Sequence, residues 1–121
     1  PGLSVNDFGD SIRFGASTAA EDEIDLGKVS CSMRLFEVYN NGFQKGCRGR
    51  LTDTEIEMLP MGAKIMTYEC GMRFLTDYLE GDHYFQIHRE AHNLDRARTQ
   101  FKLVADMEQK WDTIMKIVKN K

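Results

Sequence analysis

The sequence predicts a mainly α-helical fold, with two long helices antiparallel across a connection at residues 80–92 and several shorter helices. Three observations carry that expectation. Apolar residues recur at three- and four-residue spacing over most of the chain after Cys31. Thr52-Asp53-Thr54-Glu55 matches a capping box, in which a threonine hydroxyl accepts from a first-turn amide while the glutamate reaches back. No run shows convincing strand alternation.

Residues 1–30 are the least regular part, an acidic segment rich in Gly, Ser and Ala. Asp7–Phe14 is expected as a short helix with Asp7 and Asp10 capping its start, and Gly15–Lys28 as a surface loop. The run Glu21, Asp22, Glu23, Asp25 reads as a solvated face, with a cation site as the alternative. From Met33 the stripe Met33, Phe36 (with Leu35), Tyr39 and Phe43 predicts a helix ending near Gly46, with Gly49 in the following turn. After the capping box a short helix is expected to reach Leu59, because Pro60 suits the first turn of a new helix better than an interior position.

That new helix is expected over Met61–Leu79, with Ile65, Tyr68 (or Met72), Leu75 and Leu79 inward and Gly62 and Gly71 allowing close packing. Gly81-Asp82 ends it. The last helix is expected from Asn93, as N-cap, to Val118. Its single stripe is Leu94, Ala97, Phe101, Val104, Met107, Trp111, Ile114 and Val118, with Trp111 in the core.

The 121 residues make one domain at most, residues 1–121. A net charge of −3 argues against general nucleic-acid binding, which needs a basic footprint. No apolar run approaches the ~20 residues that span a bilayer, and no secretory leader is expected. Cys31, Cys47 and Cys70 fit neither a CxxC pair nor a disulfide framework, so a cytoplasmic protein is expected. The sequence opens on Pro1-Gly2 rather than Met, as a processed or truncated piece would.

Several motifs fall short of their chemistry. Asp7-Phe8-Gly9 matches the kinase triplet whose Asp holds Mg²⁺, but only six residues precede it and no catalytic loop lies upstream. Neither GxxxxGK(S/T) nor GxGxxG occurs, so no nucleotide-binding motif is present. His88 and His92 have the four-residue spacing of zinc ligands without the peptidase glutamate or a third ligand fixed by spacing. Hydrogen bonds to Asp77, Asp82 or Asp95 are the expected use of these rings. Cys47-Arg48-Gly49-Arg50 lacks the proline of the sulfatase motif. In Asn93–Gln100, Arg96 and Arg98 could clamp carboxylates or phosphates; ties to Asp77, Asp82 or Glu90 of neighbouring segments are the favoured reading.

Two long stretches, DFGDSIRFGASTAAEDE and LPMGAKIMTYECGMRFLTDYLEGDHYFQIHREAHNLDRARTQFKLVADMEQKW, resemble the C-terminal third of the N-acetylhexosamine 1-kinases, within the aminoglycoside and choline kinase-like superfamily. Pro1-Gly2 is similar to the end of that family's Asp-Thr-x-Met-Pro-Gly segment. The resemblance implies the helical end of a kinase-like C-lobe, a fragment inactive alone. Catalytic, metal and nucleotide-binding residues would then lie before the chain, leaving none of these roles within it.

It further implies that Arg73 and Tyr84 contact an N-acetylhexosamine, N-acetylglucosamine or N-acetylgalactosamine. Mg²⁺ and ATP would serve the full-length protein, which would phosphorylate the anomeric hydroxyl. A guanidinium and a phenol suit sugar hydroxyls, although Arg73 could equally pair with Asp77 at i+4. Two rivals stand beside this reading. One is a non-enzymatic interaction module that dimerises through an exposed helix surface at Met107, Trp111, Met115 and Val118. The other is a small metal-dependent hydrolase using His88 and His92.

Overall fold

The computed structural model describes the backbone of residues 2–47 and 49–119, with side chains from Asp7 onward. Pro1 of the Pro1-Gly2 pair and Arg48 of Cys47-Arg48-Gly49-Arg50 lie outside the described residues. Among the described residues the chain is mainly helical. α1 (Gly2–Gly15), a 3-10 turn (Leu26–Lys28), α2 (Met33–Cys47), α3 (Asp53–Leu79), α4 (His92–Gln109) and α5 (Trp111–Lys119) follow in order. Extended structure there amounts to one isolated antiparallel bridge, Ser17 to Cys31. No helix is long and apolar enough to cross a membrane, among the described residues.

The N-terminal segment is more ordered than expected. Asp7 and Asp10 sit inside α1, not at its start, and α1 buries Phe8 and Ile12. Phe8 meets Phe36 and Phe43 of α2 edge-on, with ring centroids 5.8 and 5.2 Å apart. Gly9 explains how α1 approaches α3: a Cβ there would lie 2.6 Å from the Gly62 carbonyl oxygen. The kinase-like triplet is therefore a packing element, with phenylalanine and glycine both turned to the core.

The segment after α1 is the surface loop expected, with no buried residue from Ser17 to Lys28, but it is fastened at both ends. Ser32 N–H donates to the Ala16 carbonyl (2.7 Å) and Thr18 N–H to the Ser30 carbonyl (3.0 Å), closing the loop on itself. Ala16, Val29 and Cys31 are buried. Lys102 and Thr99 of α4 donate to the Val29 and Glu23 carbonyls, and the Cys31 amide donates to Asp106 at 2.6 Å. Lys110 donates to both the Cys31 carbonyl and Asp106. Burial pushes the Asp106 carboxyl up, but the Lys110 ammonium and the Cys31 amide outweigh it and hold it below the usual carboxylate range. The Cys31 thiol, in the same layer, is pushed up by burial to about 11.

α2 forms where the spacing placed it, with Phe36 buried and Met33 and Phe43 packed at the edge of the core. Tyr39 stays exposed and covers Gly15, and Asn40 is buried in its stead. There Asn40 and Gln44 donate to the Ile117 and Val118 carbonyls at the end of α5. Gly49 takes φ +76° in the turn after α2. The capping box is formed in both directions: Glu55 N–H donates to the Thr52 hydroxyl (3.1 Å) and Thr52 N–H to the Glu55 carboxylate (2.9 Å).

Two expected boundaries are wrong. α3 runs unbroken through Pro60, which is buried beside Leu59. The ring removes one backbone donor, and burial of Leu59 and Pro60 offsets that loss. The last helix, conversely, is two. α4 ends at a Lys110 cap, where its N–H reaches Asp106 and Met107 carbonyls while its ammonium is drawn to Cys31 and Asp106. α5 then buries Ile114 and Val118. Trp111 is only partly buried, at the core's edge under the Lys64 ammonium, 5.4 Å from its ring.

α3 and α4 pair antiparallel, as expected. Lys64 meets Glu108, Gly71 abuts Phe101, and Asp77 meets Asn93, so one helix descends as the other rises. The expected inward face of α3 is the wrong one, however. Ile65, Tyr68, Met72 and Leu79 are exposed, while Leu59, Gly62, Ala63, Thr67, Gly71, Phe74 and Asp77 are buried. Small residues let α1 and α4 close on this side, and a Cβ on Gly71 would stand 2.7 Å from the Phe101 ring.

Candidate ligand site

The polar residues singled out around the helix break gather at the end of the α3–α4 pair. Gly81 (φ +98°) and Asp82 (φ +63°) turn the chain out of α3, and Ala91 (φ +59°) turns it into α4. Asn93 is not the N-cap: Ala91 holds that position without a side-chain cap. Asn93 is instead buried inside α4, where its amide donates to Asp77 (2.7 Å) and Asp82 (3.0 Å).

Asp77 is the centre of this arrangement. Its carboxylate accepts the backbone N–H groups of Tyr84 (2.7 Å) and Phe85 (3.0 Å) as well as the Asn93 amide. Burial pushes the carboxyl up, but these donors outweigh it and keep it below the usual carboxylate range. The carboxylate is thus fully engaged with the connection and does not pair with Arg73, as the i+4 spacing suggested. Arg73 instead lies 3.9 Å from Glu69, one turn earlier, with both side chains 58% exposed.

The histidines are used differently from either expectation. The His88 N–H donates to Nδ1 of buried His92, so the His92 proton sits on Nε2, which donates to Asp22 at 2.8 Å. That hydrogen bond is the main cause of the lowered Asp22 carboxyl, with the Arg89 charge adding to it. Both nitrogens of His92 are thereby engaged, and its acidic partner comes from the N-terminal segment rather than from Asp77, Asp82 or Asp95. The acidic run stays solvent-accessible, as expected, but it is also paired: Glu21 with Arg13 at 2.6 Å, Asp22 with His92 and Arg89, while Asp25 caps the 3-10 turn. Among the described residues no group of three or more His, Cys, Asp and Glu is arranged to hold a metal ion.

Arg73 and Tyr84 do come together. Both line one open groove of about 360 Å³, together with Glu69, Met72, Thr76, Asp77, Glu80 and Phe85. Tyr84 is 78% exposed and stands edge-on to Phe85, and Phe85 packs on buried Phe74. The groove thus has a held wall, since Asp77 pins the two amides and Phe74 anchors Phe85, and it carries the exposed heads of Tyr84 and of Arg73, the latter beside Glu69. A guanidinium donor and a phenol that both donates and accepts, beside an aromatic wall, suit a neutral polyhydroxylated ligand. Phe85 and the Asp77–Asn93 clamp escaped the sequence reading. The one available signal was an Asp four residues before a Gly-Asp turn. Arg96 ties α4 to the connection through the Gln86 carbonyl (3.0 Å), not through the acids expected for it.

No protein-family model matches the chain.

Proposed function

We propose that this chain is the sugar-binding helical part of a cytoplasmic, ATP-dependent kinase that phosphorylates an N-acetylhexosamine at its anomeric hydroxyl, and that the part is inactive by itself. The observation that carries the reading is the meeting of Arg73 and Tyr84 on one groove. Their pairing was implied by resemblance alone, and eleven positions of sequence separate them. The helix break, the Asp77 clamp and Phe85 make that meeting possible in space. In such a protein this region would hold N-acetylglucosamine or N-acetylgalactosamine so that its O1 faces the transferable phosphate, a positioning role.

In this reading Mg²⁺ and ATP serve the full-length protein. Asp7 lies exposed on α1, and no cluster of acids converges among the described residues. The ion and the nucleotide would be held elsewhere in the full-length protein. The test is Mg-ATP-dependent phosphorylation of the two sugars by that protein, with sugar 1-phosphate as the expected product. Arg73→Ala should lower kcat/KM by about 100-fold or more while leaving the melting temperature in place. No turnover, or an unchanged rate in the variant, removes the assignment.

One observation favours a second reading, an interaction module that pairs with its own copy. The stripe first expected to be exposed is largely inside, with Met107 and Val118 buried. The open face belongs to α3: Met58, Met61, Ile65, Tyr68, Met72 and Leu79 are exposed, and Leu75 completes a 3–4 spacing over three heptads. That seam is ~30 Å long and has the pattern by which two helices pack knobs into holes. Sedimentation of the 121-residue chain decides: a tight dimer indifferent to sugar favours this reading, and a monomer ends it.

A further inference from the structure

A small cavity, of about 20 Å³, lies where α1, the loop after it and α4 meet. Arg13 and Phe14 of α1, Ser17, Ala19 and Glu21 of the loop, and Gln100 of α4 line it. Two buried side-chain polar atoms among the described residues lack a hydrogen-bond partner, Arg13 Nε and Gln100 Oε1, and both residues belong to this lining. Solvent does not serve them, since the Arg13 side chain is only 9% exposed and Gln100 only 2%. The terminal nitrogens of Arg13 are taken, Nη1 by Glu21 at 2.6 Å and Nη2 by Asp10 at 3.3 Å. Its Nε–H is the donor left over, on a charged group for which an unmet hydrogen bond is costly.

The two atoms are complementary in kind. Nε–H can only donate and Oε1 can only accept, yet they do not bond to each other. A species that satisfies both must accept from one and donate to the other. A metal or ammonium ion cannot accept from Nε–H, and a halide cannot donate to Oε1. Water does both, and one molecule needs at least about 10–15 Å³ and two to four polar partners. The cavity has that room and little more.

We infer that this cavity is a binding site for a single ordered water, which accepts from Arg13 Nε–H and donates to Gln100 Oε1. Two lining groups can accept its second proton, the Glu21 carboxylate and the Ser17 hydroxyl. That hydroxyl donates to the Ala19 carbonyl (3.1 Å) and accepts from the Ala19 amide (3.3 Å), which leaves it one lone pair. The water joins α1 to α4 beneath the loop, beside the direct bond from Thr99, the residue before Gln100, to the Glu23 carbonyl. It also holds the Arg13 guanidinium on a third side, so that the pairs with Glu21 and Asp10 keep their geometry. The site is independent of the sugar reading and of the α3 seam.

The experiment is NMR of the 121-residue chain, reading cross-relaxation between water and the Arg13 Nε–H proton. A rotating-frame Overhauser cross-peak is expected, opposite in sign to chemical exchange. That proton should exchange with solvent at least about tenfold more slowly than Nε–H of Arg73, whose side chain is 58% exposed. Gln100→Met keeps much of the length and removes the acceptor, so it should abolish the cross-peak while circular dichroism shows the helices retained. A crystal structure should place the water within hydrogen-bond distance of both atoms. A folded chain with no cross-peak, or a crystal structure in which Arg13 Nε bonds directly to Gln100, overturns the inference. So does a cross-peak that survives Gln100→Met, because the water would then have another acceptor. If Gln100→Met fails to fold, the unmodified chain still decides through its cross-peak and its crystal structure.

Discussion

The two faces of α3 are built on opposite plans. The face against α1 and α4 is made largely of small groups, Gly62, Ala63, Thr67 and Gly71, and backbones come close there because nothing stands between them. The face toward solvent carries the large apolar side chains Met58, Ile65, Tyr68 and Met72. Hydrophobicity alone would bury the second and expose the first. Closeness of approach decides instead: a helix pair held at short distance gains many weak contacts along its length, and those contacts require the absence of bulk. Burial on α3 therefore follows shape, and the apolar bulk is left over for another surface.

Substitutions can break that contrast, and the greatest effect is expected where backbone meets backbone. Gly9→Val would drive a branched side chain into the Gly62 carbonyl, 2.6 Å from the position of its Cβ. The expected loss is about 3 kcal/mol, the upper end of what overpacking costs, read from the urea midpoint. An unchanged midpoint would mean that α1 does not seat on α3 as described.

Asp77→Asn comes next. It keeps the shape at the polar end of the buried face but removes the charge that holds the Tyr84 and Phe85 amides. A melting temperature several degrees lower and faster exchange of those two amides are expected. Retained protection would show that the connection is held by its aromatic contacts instead.

Acid should act on the same contacts more gradually. Asp77, Asp22 and Asp106 all have carboxyls lowered in the folded chain. The folded state therefore holds fewer protons than the unfolded chain near pH 4, so stability rises with pH there. It should be fully present above about pH 5, fall as pH drops below the ordinary carboxylate value of about 4, and fall less in Asp77→Asn. A flat profile from pH 6 to 3 would contradict the assigned hydrogen bonds.

The smallest effect belongs to the open face. Ile65→Lys should shift stability by no more than about 0.5 kcal/mol, and it would dissociate a dimer if a second copy covers the seam. A large loss in a monomer would mean that this face is packed within the chain.

What could be read from the sequence follows the range of the interaction. The capping box at Thr52, the end of α3 at Gly81-Asp82 and the extent of α2 were legible because each depends on residues within one turn. The inward face of α3 was not, because which side of a doubly apolar helix is covered depends on what α1 and α4 bring to it. Pro60 and Lys110 show the same limit. One boundary signal is overridden by burial of Leu59, and one break without a Gly or Pro is made by a lysine reaching Cys31, 79 positions away. At the candidate site, Arg73 and Tyr84 were named from resemblance, whereas the Asp77–Asn93 clamp under them is a through-space contact that no local pattern announces.

The strap at residues 16–31 bears on how the molecule comes into being. Its fastenings are Val29 to Lys102, Glu23 to Thr99 and Cys31 to Asp106, while α2 is closed by carbonyls at Ile117 and Val118. Every one joins residues more than seventy positions apart. On a ribosome adding about 5–20 residues per second, the first third of the chain must wait several seconds for the helices that complete it. During that interval Phe8, Ile12 and Phe36 have no finished core to enter. Folding here is a late event set by the arrival of the C-terminal helices, and a nascent chain of this design stays dependent on whatever shields it in the meantime.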